Sequence, residues 1–157
     1  MKLKIAVLPG DGIGPEVTNE SIKVLNCIAK KFNHEVEMNE GLVGAIAIDH
    51  HNNPYPDETH NLCLESDAIL FGAIGDPKYD NDPKAKIRPE QGLLEMRKKL
   101  GLYANLRPTL VFDSLLHMSP IKEERITGTD ILFVRELTGG IYFGERGRKN
   151  NDNYAFD

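Results

Sequence analysis

No stretch of about 20 apolar residues occurs in the chain, so nothing in it reads as a membrane-spanning helix. The amino terminus, MKLKIAVLPGDG, has only a short apolar run before Pro9, too short for the core of a signal peptide. Cysteine is scarce. Cys27 and Cys63 stand in helix-like stretches without C-x-x-C spacing, which argues against a disulfide framework and predicts reduced, buried thiols in a cytoplasmic protein. A positive surplus is lacking too: the net charge of −5 and pI near 5.5 argue against nucleic acid or an anionic membrane as partner. The negative charge is spread along the sequence and forms no acidic tail. At 40% hydrophobic and 27% charged residues, the 157-residue chain also lacks the composition of a disordered protein; it suits a soluble globular one.

What is present reads as alternating strands and helices. Lys4 to Leu8 is an aliphatic run that stops at Pro9-Gly10, a buried strand entering a loop. Val17, Ile22, Val24, Leu25, Ile28 and Ala29 recur at a helical period over Pro15 to Phe32, with Pro15 suited to a first helical position. His34 to Met38 alternates weakly as a second strand. Asp57 to Leu64 reads as a short helix capped by Asp57, and Asp67 to Gly72 as a third strand. This order predicts a parallel α/β sheet.

Ala73 to Pro89 reads as a loop, long enough to suggest that it binds something. Glu90 to Leu100 is helical with Gly101 as its stop; Ala104 to Leu110 and Ile131 to Arg135 are strands. Leu137 to Glu145 suggests a β-hairpin or arm turning near Gly139-Gly140. The last residues, Asn150 to Asp157, turn apolar at Tyr154-Ala155-Phe156 as though another element were starting. The sheet also has too few elements to be covered on both faces. The reading is therefore a truncated chain.

Three groups of residues suggest chemistry. In LPGDGIGPE (Leu8 to Glu16), glycines between a strand and a helix bring backbone N–H groups towards a ligand or simply make a tight turn. Both readings stay open, but Pro15 breaks the G-x-G-x-x-G fingerprint and argues against an ordinary Rossmann site. Glu90, Leu93, Leu94 and Arg97 share one helical face. That face suits a cleft gripping a branched apolar group and a carboxylate, though spacing alone favours an amphipathic helix with its leucines inward and its charges reaching for solvent. Arg107 in NLRP and Arg135 in VRELTGG, together with Arg97, can neutralise a dicarboxylate through bidentate contacts, or pair with acids such as Glu136 and Glu145. Tyr142 is either a proton donor or an ordinary strand residue.

In order and spacing, LPGDGIGPEV, PEQGLLEMRKK, ANLRP and VRELTGGIYFGE resemble the β-decarboxylating dehydrogenases, the isocitrate/isopropylmalate dehydrogenase family, over nearly the whole chain. Within that family GLLEMR resembles the isopropylmalate-oxidising branch, where a leucine pair meets the substrate's isopropyl group. The resemblance implies an α/β fold of the isocitrate/isopropylmalate dehydrogenase type. Residues 1–101 would form the first half of a cofactor-side domain with a parallel sheet. Residues 102–157 would start a second, dimer-forming domain bearing a β-arm.

It also implies an enzyme of leucine biosynthesis that oxidises and decarboxylates a small-molecule substrate, 3-isopropylmalate, with NAD and Mg²⁺ or Mn²⁺, as a cytoplasmic homodimer without nucleic-acid or membrane partners. Arg97, Arg107 and Arg135 would bind the malate backbone, and Leu93 and Leu94 the isopropyl group. Glu90 would lie between substrate and nicotinamide. Ile13, Gly75, Asp76, Pro77 and Lys78 would line the NAD site, and Tyr142 would protonate the enolate. No metal ligand is expected within the chain; the metal-binding aspartates and a catalytic lysine belong to family sequence beyond Asp157, so the chain alone is expected to be inactive. Asp76 stands where the family usually has glycine, and Tyr79 where it often has tryptophan. The alternatives are a tartrate or D-malate decarboxylating dehydrogenase, against which Leu93-Leu94 counts, and a non-catalytic module for dicarboxylate binding or oligomerisation.

Overall fold

A computed structural model of the chain describes residues 1–80, 86–137, 139, 147–149 and 154–156. It divides into two compact units, Met1–Leu100 and Gly101–Asp157.

The first unit is built on a three-stranded parallel sheet in the order β2-β1-β3. Strand β1 (Lys2–Gly10) lies in the middle and buries Ile5, Ala6, Val7 and Leu8 in succession. A central parallel strand has both faces covered, so its sequence is continuously apolar rather than alternating. Helix α1 (Gly14–Lys31) follows, with Pro15 in its first turn and Lys30 and Lys31 in its last, where cations suit the carbonyl end of the helix dipole. Asn33 at φ 54° turns the chain into β2 (Glu35–Glu40), which runs beside β1 from the pair Lys2↔Glu35 to Val7↔Glu40. Of the apolar residues that mark α1 in the sequence, Ala29 is buried, Ile22 and Leu25 are half-buried, and Val17, Val24 and Ile28 are exposed.

Helix α2 (Ala45–His51) is absent from the sequence reading, because seven residues give too little periodicity to register. Helix α3 (Asp57–Leu64) has the expected extent but not the expected cap. Pro56 occupies the cap position, Asp57 lies inside the first turn, and no side chain caps the end. Strand β3 (Ala68–Ala73) pairs with the other edge of β1, from Ile5↔Ala68 to Gly10↔Ala73. Within the expected loop lies one helical turn, α4 (Pro77–Asp80), before α5 (Pro89–Lys99), and Gly101 takes the left-handed φ of +63° that stops α5. The core comprises Ala6, Leu8, Val43, Tyr55, Cys63 and Met96. Cys27, expected to be buried, is exposed; only Cys63 is inside.

The second unit contains an antiparallel ribbon of β4 (Ala104–Leu110) and β5 (Asp130–Glu136), joined through a 3₁₀ turn at Asp113–Met118 and the short α6 (Glu123–Ile126). A smaller antiparallel pair joins β6 (Gly147–Lys149) and β7 (Tyr154–Phe156). Every residue of β5 is exposed, its aliphatic run Ile131 to Val134 included. The expected arm at Leu137 to Glu145 falls almost entirely outside the described residues.

Candidate active site at the carboxyl edge of the sheet

In open parallel sheets, ligands bind beyond the carboxyl ends of the strands, where the connecting loops gather. Here β1 and β3 end side by side, and the Asp11 N–H donates to the Ala73 carbonyl at 2.7 Å. The closeness dictates glycine. A β-carbon on Gly10, at φ +72°, would sit 1.9 Å from the Ala73 oxygen, and one on Gly14 would sit 2.1 Å from the Pro9 oxygen. Two glycines of GDGIG therefore serve packing. Gly12 differs: the single nearby atom a β-carbon would meet is the Gly75 oxygen at 3.3 Å.

Asp11, a residue the sequence reading passed over, ties this edge together. It is 6% exposed, and its carboxylate accepts N–H groups from Ala45 at 2.6 Å, Ile46 at 2.9 Å and Gly75 at 3.3 Å. Two of those donors belong to the first turn of α2, whose amides have no intrahelical partner, and the helix dipole favours the negative charge there. The donors lie 34, 35 and 64 residues away along the chain, so no local motif announces them.

Around Asp11 stand the expected cofactor residues. Ile13, just before α1, is 58% exposed. Gly75 has φ +140°, and its α-carbon faces Glu90, whose Oε1 lies 3.7 Å from where a β-carbon would be. Asp76 fills the structural role open to it in place of glycine: its Oδ1 accepts the Lys78 N–H at 2.9 Å and its carbonyl accepts the Tyr79 N–H at 2.9 Å, which starts α4. Pro77 and Lys78 are exposed. A cavity of about 410 Å³ opens beside Asp11 and is lined by Asp76 together with Glu40, Asp49 and Leu42. Carboxylates at its wall suit hydroxyl donors and repel phosphate. Ile13, Gly75 and Glu90 lie outside that lining.

On α5 the side chains divide differently from the spacing argument. Pro89, Gly92 and Met96 are the buried ones, and Gly92 lies against Pro54, whose oxygen would be 2.4 Å from an added β-carbon. Leu93 packs against the core, as the amphipathic reading expects; Leu94 is half-buried and is not among the residues packed there. Glu90 is exposed and Arg97 half-buried. The turn-by-turn row Glu90, Leu94, Arg97 is thus the part of the face that the core leaves available.

In the second unit the register pairs Asn105 with Arg135 and Arg107 with Phe133. Directly paired residues point to the same side of a ribbon and alternate residues share a face, so Arg107 and Arg135 lie on one face with Asn105 between them. The Arg107 Nε–H donates to Asn105 Oδ1 at 3.1 Å. Leu106, Leu132 and Val134 occupy the opposite face and are more than half exposed, at 59%, 57% and 64%. Tyr142, the expected proton donor, lies outside the described residues.

The exposed Ile13 and the open backbone at Gly12 and Gly75 fit a flat ring approaching the sheet edge, and to that extent the residues fit a nicotinamide cofactor. For a metal they do not: no three His, Cys, Asp or Glu side chains come together suitably among the described residues. No helix among those residues is long and apolar enough to cross a membrane.

The family model for isocitrate/isopropylmalate dehydrogenase matches residues 4–157. A 3-isopropylmalate dehydrogenase of Bacteroides fragilis is 53% identical over 154 residues, covering 98% of this chain and 44% of that protein. Those of Bacillus subtilis and Aquifex aeolicus are each 54% identical, over 95% and 99% of this chain and 40% and 43% of theirs. The chain thus spans less than half the length of these relatives. Among solved structures, a β-decarboxylating dehydrogenase from Thermococcus kodakarensis superposes with TM-score 0.65 at 32% identity, over 99% of this chain and 39% of that one. An isocitrate dehydrogenase from Methylococcus capsulatus gives 0.68 at 25% identity, over 98% and 40%.

Proposed function

The chain belongs to the isocitrate/isopropylmalate dehydrogenase family, and from that premise we propose that its gene product oxidises and decarboxylates 3-isopropylmalate with NAD, as a cytoplasmic homodimer serving leucine biosynthesis. The supporting observation is the identity of 53–54% with proteins named 3-isopropylmalate dehydrogenase across nearly all of this chain.

The substrate carries two carboxylates, a C2 hydroxyl and an isopropyl group. Arg97, Arg107 and Arg135 supply guanidinium forks for its oxygens, since a planar fork matches a carboxylate with two parallel hydrogen bonds. Leu94, with Leu93 beside it, meets the isopropyl group. Glu90, near Gly75, lies between substrate and nicotinamide and orients the C2 centre. NAD, held by Ile13 and the segment Gly75–Lys78, would supply the acceptor for the hydride on C2, with the hydroxyl proton passing to solvent. The resulting 2-oxo acid has a carboxylate β to a ketone, whose C–C bond electrons pass to the ketone oxygen as carbon dioxide departs. Tyr142 donates the proton that converts the enolate to product. The family's divalent metal has no ligand set among the described residues, and no step here runs through one.

The test is a comparison of substrates in the enzyme as its gene encodes it, following NADH. Isopropylmalate should surpass D-malate, tartrate and isocitrate in kcat/KM. A preference for any of those three would overturn the specificity reading. Tyr142→Phe should leave a fast NADH burst followed by turnover slowed about 10²-fold or more, the usual loss for a general acid.

A further inference from the structure

Helix α2 and the segment Gly75–Tyr79 are joined at two points. At one end the buried Asp11 carboxylate holds the N–H groups of Ala45, Ile46 and Gly75 together. One turn further along α2, Asp49 reaches the same segment: the Lys78 Nζ donates to its two oxygens at 2.7 and 2.6 Å, and the Tyr79 hydroxyl donates to Oδ1 at 3.0 Å. The ammonium also sits 5.0 Å from the centre of the Tyr79 ring. Three contacts thus converge on one carboxylate, and the partners are half-sheltered, with side chains 49% and 44% exposed.

We propose that Asp49 is a positioning residue for the cofactor site, holding Lys78 and Tyr79 so that the segment Gly75–Tyr79 and α2 move as one body. This rests on the reading of that segment as part of the NAD site. With both carboxylate oxygens on its ammonium, Lys78 acts through Asp49 and is not a ligand of the cofactor's phosphates. The hydrogen bonds from Lys78 hold the Asp49 carboxyl below its ordinary range, and those to Asp49 hold Lys78 above its own, so both stay charged near neutrality. Within the segment, the Lys78 and Tyr79 N–H groups donate to Asp76 and shape its turn.

The experiment is a double-mutant cycle in the enzyme as its gene encodes it, with Asp49→Ala, Lys78→Ala and the pair. Each single change should raise KM for NAD about three- to fivefold, the range of an exposed ion pair, and the pair should cost no more than either. In Asp49→Ala the KM for isopropylmalate should stay within about twofold, because the loss falls on cofactor binding. Asp49→Glu should recover most of the loss. Additive losses, or a loss with Lys78→Ala alone, would make Lys78 a direct phosphate ligand and overturn the proposal. Amide exchange over residues 76–80 without cofactor separates the two premises. Unchanged exchange in Asp49→Ala overturns the latch itself; faster exchange with an unmoved KM for NAD overturns it through the cofactor reading.

Discussion

Asp11 shows how one side chain can organise the edge of a sheet. Its carboxylate satisfies two amides of the first turn of α2 and holds the segment after β3 to the start of α2. Charged hydrogen bonds are worth about 1.5–3 kcal/mol each, and leaving buried donors unsatisfied adds to the loss. Asp11→Ala should therefore lower stability by about 3 kcal/mol or more, read from the urea unfolding midpoint; a change under about 1 kcal/mol would show that water replaces the carboxylate. Gly44, at φ +84°, faces the same group, with Asp11 Oδ2 2.2 Å from where a β-carbon would stand, so Gly44→Ala should be comparably damaging.

The cysteines give a second check at this scale. Burial pushes the Cys63 thiol up, despite a lowering contact with Tyr55, and a buried protonated thiol is a poor nucleophile. In the native protein a peptide-resolved alkylation should label Cys27 quickly and Cys63 slowly. Equal labelling would show that the core around Tyr55 opens readily.

Among the elements, α5 best separates what the sequence discloses from what it withholds. Its extent, its Gly101 stop and its apolar spacing are legible, because helix length and capping are local properties. Which apolar residues face inward is not, because the outcome depends on Gly92 closing against Pro54 and on Met96 filling the core, contacts distant in sequence. Helix α2 is illegible for a related reason: its start is secured from Asp11 across the sheet edge. Strand β5 misleads for the opposite reason, since an aliphatic run reads as buried whether or not anything covers it. The division on α5 can be measured. Met96→Ala should cost about 2–4 kcal/mol of stability with substrate preference unchanged, as for a large-to-small change in a core. Leu94→Ala should cost little stability yet reduce kcat/KM for isopropylmalate more than for malate, within the roughly 1–3 kcal/mol that a pocket for one alkyl group discriminates. If Leu94→Ala unfolds the protein as Met96→Ala does, the leucine is a core residue and carries no specificity.

At the scale of the whole chain, the two units differ in what holds them. The first buries Ala6, Leu8, Val43 and Tyr55 with no measurable exposure. In the second, no residue is buried among the described residues, and both faces of the β4–β5 ribbon are open. A two-stranded ribbon in water is marginal without a third strand or a helix against it. Arg107 and Arg135 are carried on that ribbon, so the precision with which they present their forks depends on whatever supports it. Residues 1–157 expressed alone should therefore show slow amide exchange in β1 and β3 and nearly unprotected exchange in β4 and β5. The same protein supplied with isopropylmalate, NAD and Mn²⁺ should produce no NADH above background, since no three His, Cys, Asp or Glu side chains among the described residues come together to hold the metal. Turnover by residues 1–157, or full protection of β4 and β5 in them, would show that the ribbon stands without further support.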